Sequence, residues 1–369
     1  MIRRLLYLNG IAVLCAVIYH ASGWGFTAMF WWTDRYLPVS VPNFEQMDSL
    51  SYYGLRAVEQ LVIFAIPAFL FVSGFFIAFA TGRTHYTVGW NVVGVRIKNL
   101  LIPYLIWSVL IIGSDYLQGD RYSALQVIKK LVVGGAAAPY YFVPLICQLY
   151  LLAPFMVPLA RRNWPLLLFI TGLIQAGAVA LRYVQLLGLD APVLQQLAQL
   201  TPTWFFPANI FWFSFGIVAG FHLSQLKAWV GRVKWGLVVA LVILFLAGLF
   251  EWLFLLRWSP EGWLPATETL LDNFYSVTIL LSFIAFESLS LPLFKQVGEL
   301  GTKSFGVYLV HSPVLEFTAR LIYHVAPWIL AYQILFQPIL IILGLGIPLL
   351  VMAGVKRSPA HKLYPYLFG

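Results

Sequence analysis

The stretch RRLLYLNGIAVLCAVIYHASGW, Arg3 to Trp24, decides the fold of this chain. Two arginines lead into an almost unbroken apolar run that carries one histidine, His20, near its far end. About 20 apolar residues at 1.5 Å rise form a helix roughly 30 Å long, the thickness of a bilayer's hydrocarbon core. The positive-inside bias puts Arg3 and Arg4 on the cytoplasmic side. His20 is then about 24 Å up the helix, close to the outer face. An ionisable side chain inside a spanning helix is costly, so His20 is a candidate functional residue. A histidine hydrogen-bonded to a neighbouring helix for packing alone accounts for it equally well.

The rest of the chain is built like this first stretch. Of 369 residues, 61% are hydrophobic and 10% charged, a balance that excludes a water-soluble domain and fits a polytopic membrane protein. The net charge of +9 is not a nucleic-acid signal, because the basic residues fall in short clusters between apolar runs. Cys15 and Cys147 both lie inside apolar runs, and their spacing suggests neither a metal site nor a disulfide framework. The first run is too long for a signal-peptide core and reads as a retained anchor.

Ten stretches are candidate spans, approximately 5–24, 60–80, 100–114, 141–159, 166–183, 204–223, 236–256, 274–291, 304–323 and 328–355. With the N-terminus inside, the inner segments hold Arg3, Arg4, Arg83, Arg96, Lys98, Arg161, Arg162, Lys227, Arg232, Lys234, Lys295, Lys303, Lys356, Arg357 and Lys362. That is 15 of the 23 Lys and Arg residues. The outer side receives most of the acids, including Asp34, Glu45, Asp48, Asp120, Asp190, Glu261 and Glu268. The chain therefore reads as an all-α membrane protein with about ten transmembrane helices and both termini cytoplasmic, a single domain over 1–369. The connection from Gly25 to Glu59 is rich in interfacial aromatics, among them Phe26, Phe30, Trp31, Trp32 and Tyr36.

Several polar residues lie at membrane depth. Pro67 and Ser73-Gly74 in the second span suit close helix approach as well as they suit function. Arg96 and Lys98 precede the third span, either as topology anchors or as donors to the phosphates of a cytoplasmic ligand. Glu251, Glu287, His222 and His324 lie near span ends, where contact with water is the usual case. The ninth span holds His311, about 12 Å above its basic end and so near mid-membrane. Glu316 and Arg320 stand at i, i+4 and can pair, either to neutralise each other or to line a polar cavity open to the outside.

Five segments, in order along the chain, resemble the acyltransferase-3 family of integral membrane acyltransferases. They are IAVLCAVIYH (Ile11–His20), FVSGFF (Phe71–Phe76), the basic stretch from Arg96 to Pro103-Tyr104, YFVP (Tyr141–Pro144) and FGVYLVHSP (Phe305–Pro313). Two departures stand out. The family's usual basic residue eleven positions before the first-helix histidine is here Asn9, and the second arginine of its paired basic motif is here Asn99. Asn9 lies on the His20 stripe, about 16 Å below it, and offers an amide where Arg would grip phosphate.

The resemblance implies acyl transfer, acetyl foremost, from acyl-CoA to a hydroxyl of a carbohydrate or other cell-envelope acceptor, at a bacterial inner (plasma) membrane. It implies His20 as general base, since histidine exchanges protons near neutrality. It implies donor contacts at Asn9, Ser73, Arg96 and Lys98, and acceptor contacts at Tyr141 and His311; Glu316 and Arg320, if they line the polar cavity, are further acceptor-side candidates. No metal and no nucleic acid enter this reading; the partners are membrane lipid, acyl-CoA and the acceptor. A proton-coupled exporter of an envelope precursor is the rival class, favoured by proline-broken helices and buried His and Glu. A structural partner in an envelope-synthesis complex is a third.

Overall fold

The computed structural model describes residues 1–31, 49–82, 84–258 and 269–369. Trp32, Asp34, Tyr36, Glu45, Asp48, Arg83, Glu261 and Glu268, named above, lie outside the described residues. Among those described there is helix and no strand. The helices are α1 (Ile2–Phe26), α2 (Leu50–Val62), α3 (Ala65–Thr81), α4 (Trp90–Leu117), α5 (Ala124–Val133), α6 (Phe142–Arg162), α7 (Trp164–Leu186) and α8 (Pro192–Gln199). They continue with α9 (Ile210–Phe221), α10 (Leu223–Trp258), α11 (Leu270–Ala285), α12 (Phe294–Thr302), α13 (Ser304–Val325), α14 (Gln333–Arg357) and α15 (Tyr364–Phe368). Helix is the physical solution for such a sequence, because in lipid each backbone N–H and C=O must find its partner within its own segment.

Each of the ten apolar stretches carries helix, and among the described residues seven segments are long and apolar enough to cross a membrane. They are Ile2–Phe30, Leu50–Thr81, Trp90–Leu117, Ala138–Arg162, Trp164–Leu186, Leu223–Trp258 and Gln333–Arg357. Helices α9 and α11 are apolar but shorter. Helix α13 has 22 residues and carries His311, Glu316 and Arg320. The stretch expected at 204–223 yields only the 12-residue α9, because Pro207 and the non-helical backbone of Asn209 delay its start. The third span is longer than expected: α4 begins at Trp90, so Arg96 and Lys98 lie within the helix and not before it. Between α2 and α3 the helix breaks at Ile63-Phe64. Pro67 has no N–H to donate to the Ile63 carbonyl, which accounts for the break.

The chain forms two compact units. The first comprises 1–62, 102–140 and 295–369. Here α1 packs against α2, α13 and α14. Ala21 meets Leu315, Ala319, Ile322, Phe336 and Leu340 in a closed apolar cluster. At the other end of α1 the backbones touch. A Cβ on Gly301 would stand 1.8 Å from the Leu6 carbonyl oxygen, and one on Gly10 would stand 2.0 Å from that of Val297. Only glycine permits such a crossing.

The second unit comprises 63–101 and 141–294. Its centre is α3 against α9. A Cβ on Gly74 would lie 2.1 Å from the Phe213 oxygen, and one on Gly216 would lie 2.0 Å from that of Phe71. Ser73-Gly74, which suited packing and function equally on sequence, thus has a packing reason at its glycine. Glu251 does not simply reach water: the hydroxyls of Tyr183 and Thr269 donate to its carboxylate. Glu287 pairs with Lys227, and the His222 ring N–H donates to the Ala160 carbonyl at 2.9 Å.

Candidate active site

The site in the first unit is built on the Gly10–Gly301 crossing. From there, His20 is ten residues along α1, and His311 is ten residues along the chain that becomes α13. Ten residues of α1 rise about 15 Å, while on the other side the helix is interrupted at Lys303 before α13 begins. The two histidines meet, with ring centroids 5.3 Å apart and planes at 44°. On sequence they were placed about 12 Å apart in depth. That estimate counted each helix from its own basic residues, and the crossing shows that the two helices start from different levels.

The rings differ in environment. His311 has no exposed surface, whereas His20 is partly exposed. The His311 Nδ1 lies 2.7 Å from the Tyr308 carbonyl oxygen and 3.2 Å from that of Val307. A carbonyl only accepts, so Nδ1 is the protonated nitrogen of the neutral ring. Nε2 is buried and has no partner among the described residues. His20 makes no hydrogen bond among the described residues; its ring stands edge-on to Tyr19 and tilted to His311.

A tyrosine clasp holds α13 in place. The Tyr308 hydroxyl donates to the Pro139 carbonyl at 2.6 Å, and the Tyr140 hydroxyl donates to the Leu309 carbonyl at 2.6 Å. The rings continue as a ladder, Tyr104 to Tyr140 at 5.7 Å and Tyr140 to Tyr308 at 6.0 Å. Sequence reasoning missed Tyr104, Tyr140 and Tyr308 as parts of the site. The available signal was Tyr308, one helical turn before His311.

The other residues named on sequence fall in several places. Asn9 shares the His20 face of α1, and its buried Oδ1 has no partner among the described residues. Glu316 and Arg320 pair with each other at 2.7 Å. They are five and nine residues past His311, hence rotated by about 140° and 180° from it on the helix. The pair does not join the histidines. In the second unit, the Arg96 guanidinium donates to the Phe76 carbonyl at 3.3 Å and stands 5.7 Å over the Tyr150 ring. Phe76 is one turn beyond Ser73, which makes no hydrogen bond among the described residues. Lys98 is exposed and, two residues from Arg96, points about 200° away from it. The two cations do not form one fork. Tyr141 lies at the mouth of α6, partly exposed.

Comparison with known proteins adds to this geometry. A family model described as an acyltransferase domain, acyltransferase-3, matches residues 3–353. The chain is 22% identical over 275 residues to a probable poly-beta-1,6-N-acetyl-D-glucosamine export protein of Staphylococcus aureus strain MRSA252, covering 74% of this chain and 75% of the relative. The protein of the same description from strain N315 matches to the same extent. No solved structure matches. The family match runs through both histidines, the α3 glycine and the α4 arginine, and on it the chain is a multi-pass membrane protein of the acyltransferase-3 family.

Proposed function

We propose that this protein is an acyl-CoA-dependent O-acyltransferase of the bacterial plasma membrane, moving an acetyl or similar acyl group to a hydroxyl of an envelope carbohydrate. The observation that carries this reading is the partly exposed His20 facing the fully buried His311, inside a chain of this family. His20 takes the proton of the acceptor hydroxyl as that oxygen attacks the thioester carbonyl. The C–S bond breaks, and the imidazolium returns the proton to the departing thiolate. Arg96, with donors beyond its single carbonyl bond, is the phosphate ligand; the family resemblance implies further donor contacts at Ser73 and Asn9, and Lys98 is at most a minor one. Tyr141 and the Glu316–Arg320 pair are the acceptor-side groups of this reading; the acceptor contact expected at His311 is indirect, through His20, because His311 is fully buried. Ten spans with both termini cytoplasmic put the basic ends on the side that supplies acyl-CoA.

The test is release of free CoA from acetyl-CoA by purified protein with N-acetylglucosamine oligomers as acceptor, read per mole of folded, donor-binding protein. His20→Ala is expected to lose about 10²- to 10⁴-fold, the share of a positioned base. Retention of more than about a tenth of turnover excludes His20 as the base.

The description of the staphylococcal relatives favours a second reading, export of such a polymer. Flux into liposomes without any CoA would establish it. The same description is also the reason for choosing N-acetylglucosamine oligomers as the first acceptor.

A further inference from the structure

We infer that His311 is a positioning residue for His20: its Nε2 accepts the N–H of whichever His20 nitrogen is turned away from the reacting hydroxyl. This rests on the acyl-transfer reading. The bond sets the His20 tautomer and steadies the imidazolium that forms when His20 takes the hydroxyl proton. His311 neither gains nor loses a proton over the cycle.

Four observations carry it. The first is the tautomer: two carbonyl oxygens on Nδ1 leave the lone pair of a neutral ring at Nε2. The second is the orphaned state of that atom. Nε2 is buried with no partner, and a buried acceptor left unpaired costs about 1–3 kcal/mol. The tyrosine clasp holds the ring there, with the Tyr308 hydroxyl on Pro139 and the Tyr308 carbonyl on His311.

The third is reach. Two imidazoles joined by an N–H···N bond of about 2.9 Å have centroids about 5 Å apart, and these stand at 5.3 Å. A turn of the His20 ring, which no hydrogen bond opposes, closes the pair. The fourth is burial. His311 is wholly enclosed and cannot meet a substrate, whereas His20 is partly open. A carboxylate is the commoner partner for a catalytic histidine, but here it would be a charge buried among apolar helices at membrane depth. A neutral imidazole supplies the acceptor without that cost, and the neighbouring acid on α13, Glu316, is turned about 140° away.

The test uses the full chain in detergent and has a readout apart from turnover: the rate at which diethyl pyrocarbonate modifies His20, followed by peptide mass spectrometry. His311→Leu is expected to slow modification about tenfold, the low end of what an outer hydrogen-bond partner of a functional histidine contributes. His311→Gln, whose amide oxygen restores an acceptor, is expected to recover most of it. Turnover should follow the same order through kcat with KM unchanged. In a His20→Ala background, His311→Leu should change the residual rate by less than about twofold, since the two act as one unit.

Equal modification rates in wild type and folded His311→Leu, or equal loss in the Leu and Gln variants, overturn the proposal. If no apolar variant folds, ¹⁵N NMR of the histidine-labelled wild type decides. His20, identified by its loss in His20→Ala, should show one fixed tautomer, and rapid averaging of both overturns the proposal. Should the wild type transfer no acyl group while the modification order holds, the acyl-transfer reading fails and the histidine pair stands. Should the wild type transfer acyl groups with His20 reactivity indifferent to residue 311, the pair alone falls.

Discussion

Arg96 and Lys98 differ at the residue scale more than their shared charge suggests. Arg96 is partly enclosed, with one bond to a backbone carbonyl and an aromatic ring beneath it, while Lys98 is exposed on another face of α4. A charge-assisted hydrogen bond is worth about 1.5–3 kcal/mol. Arg96→Ala should therefore weaken CoA binding about tenfold or more. Lys98→Ala should change it by less than about threefold, as a screened surface charge does. Calorimetric titration of CoA into the two purified variants measures both. An equal loss would make the sites equivalent, and no loss in either would leave both as topology anchors. The Glu316–Arg320 pair poses a similar question. It is partly exposed and closes on itself, so Glu316→Gln should cost at most about 1 kcal/mol of stability. A severe loss of turnover from that variant, with folding intact, would give the pair a part in acceptor binding.

At the scale of elements, two glycine crossings do the positioning. In the α3–α9 contact a side chain on Gly74 or Gly216 would meet backbone oxygen, which cannot rotate aside. Gly216→Val should cost about 1–3 kcal/mol or more through overpacking, and should lower the thermal midpoint in detergent. Gly94→Ala in α4 is the control. Nothing would lie within 4 Å of a Cβ added there, and replacing glycine in a helix stabilises it by about 0.5–1 kcal/mol. The crossing of Gly10 and Gly301 has a different consequence, because it sets the level at which His20 and His311 meet. Gly301→Ala should reduce turnover by more than its loss of stability explains, as α13 moves along α1. Rates per mole of folded protein separate the two effects.

For the whole molecule, the bias of basic residues predicts both termini on the cytoplasmic side. A cysteine placed after Phe368, in a background with Cys15 and Cys147 replaced, should resist a membrane-impermeant maleimide in intact cells and react after permeabilisation. Ready labelling from outside would reverse the topology, and with it the assignment of the basic ends to the acyl-CoA side.

Much of this was legible in the residues. Apolar runs of membrane length announce an all-helical membrane protein, because lipid leaves the backbone no other way to satisfy itself. His20 and His311 stood out because ionisable groups are rare at that depth, and the segments that resemble the family pointed to it before the match over 3–353 showed it. Register was not legible. Sequence gives distance along one helix from its own charged end, but the offset between two helices depends on where their backbones can touch. Here glycines at 10 and 301 decide that, and they bring together two histidines 291 positions apart in sequence. Direction around a helix became clear only once each helix had limits and neighbours. α4 starting at Trp90 puts Arg96 and Lys98 on one helix, where two positions turn them apart, and five and nine positions along α13 turn Glu316 and Arg320 away from His311. The sequence by itself determined the solvent this chain lives in and which side chains are chemically out of place there. Tertiary structure decided which of them meet, because meeting depends on contacts between segments that no local pattern encodes.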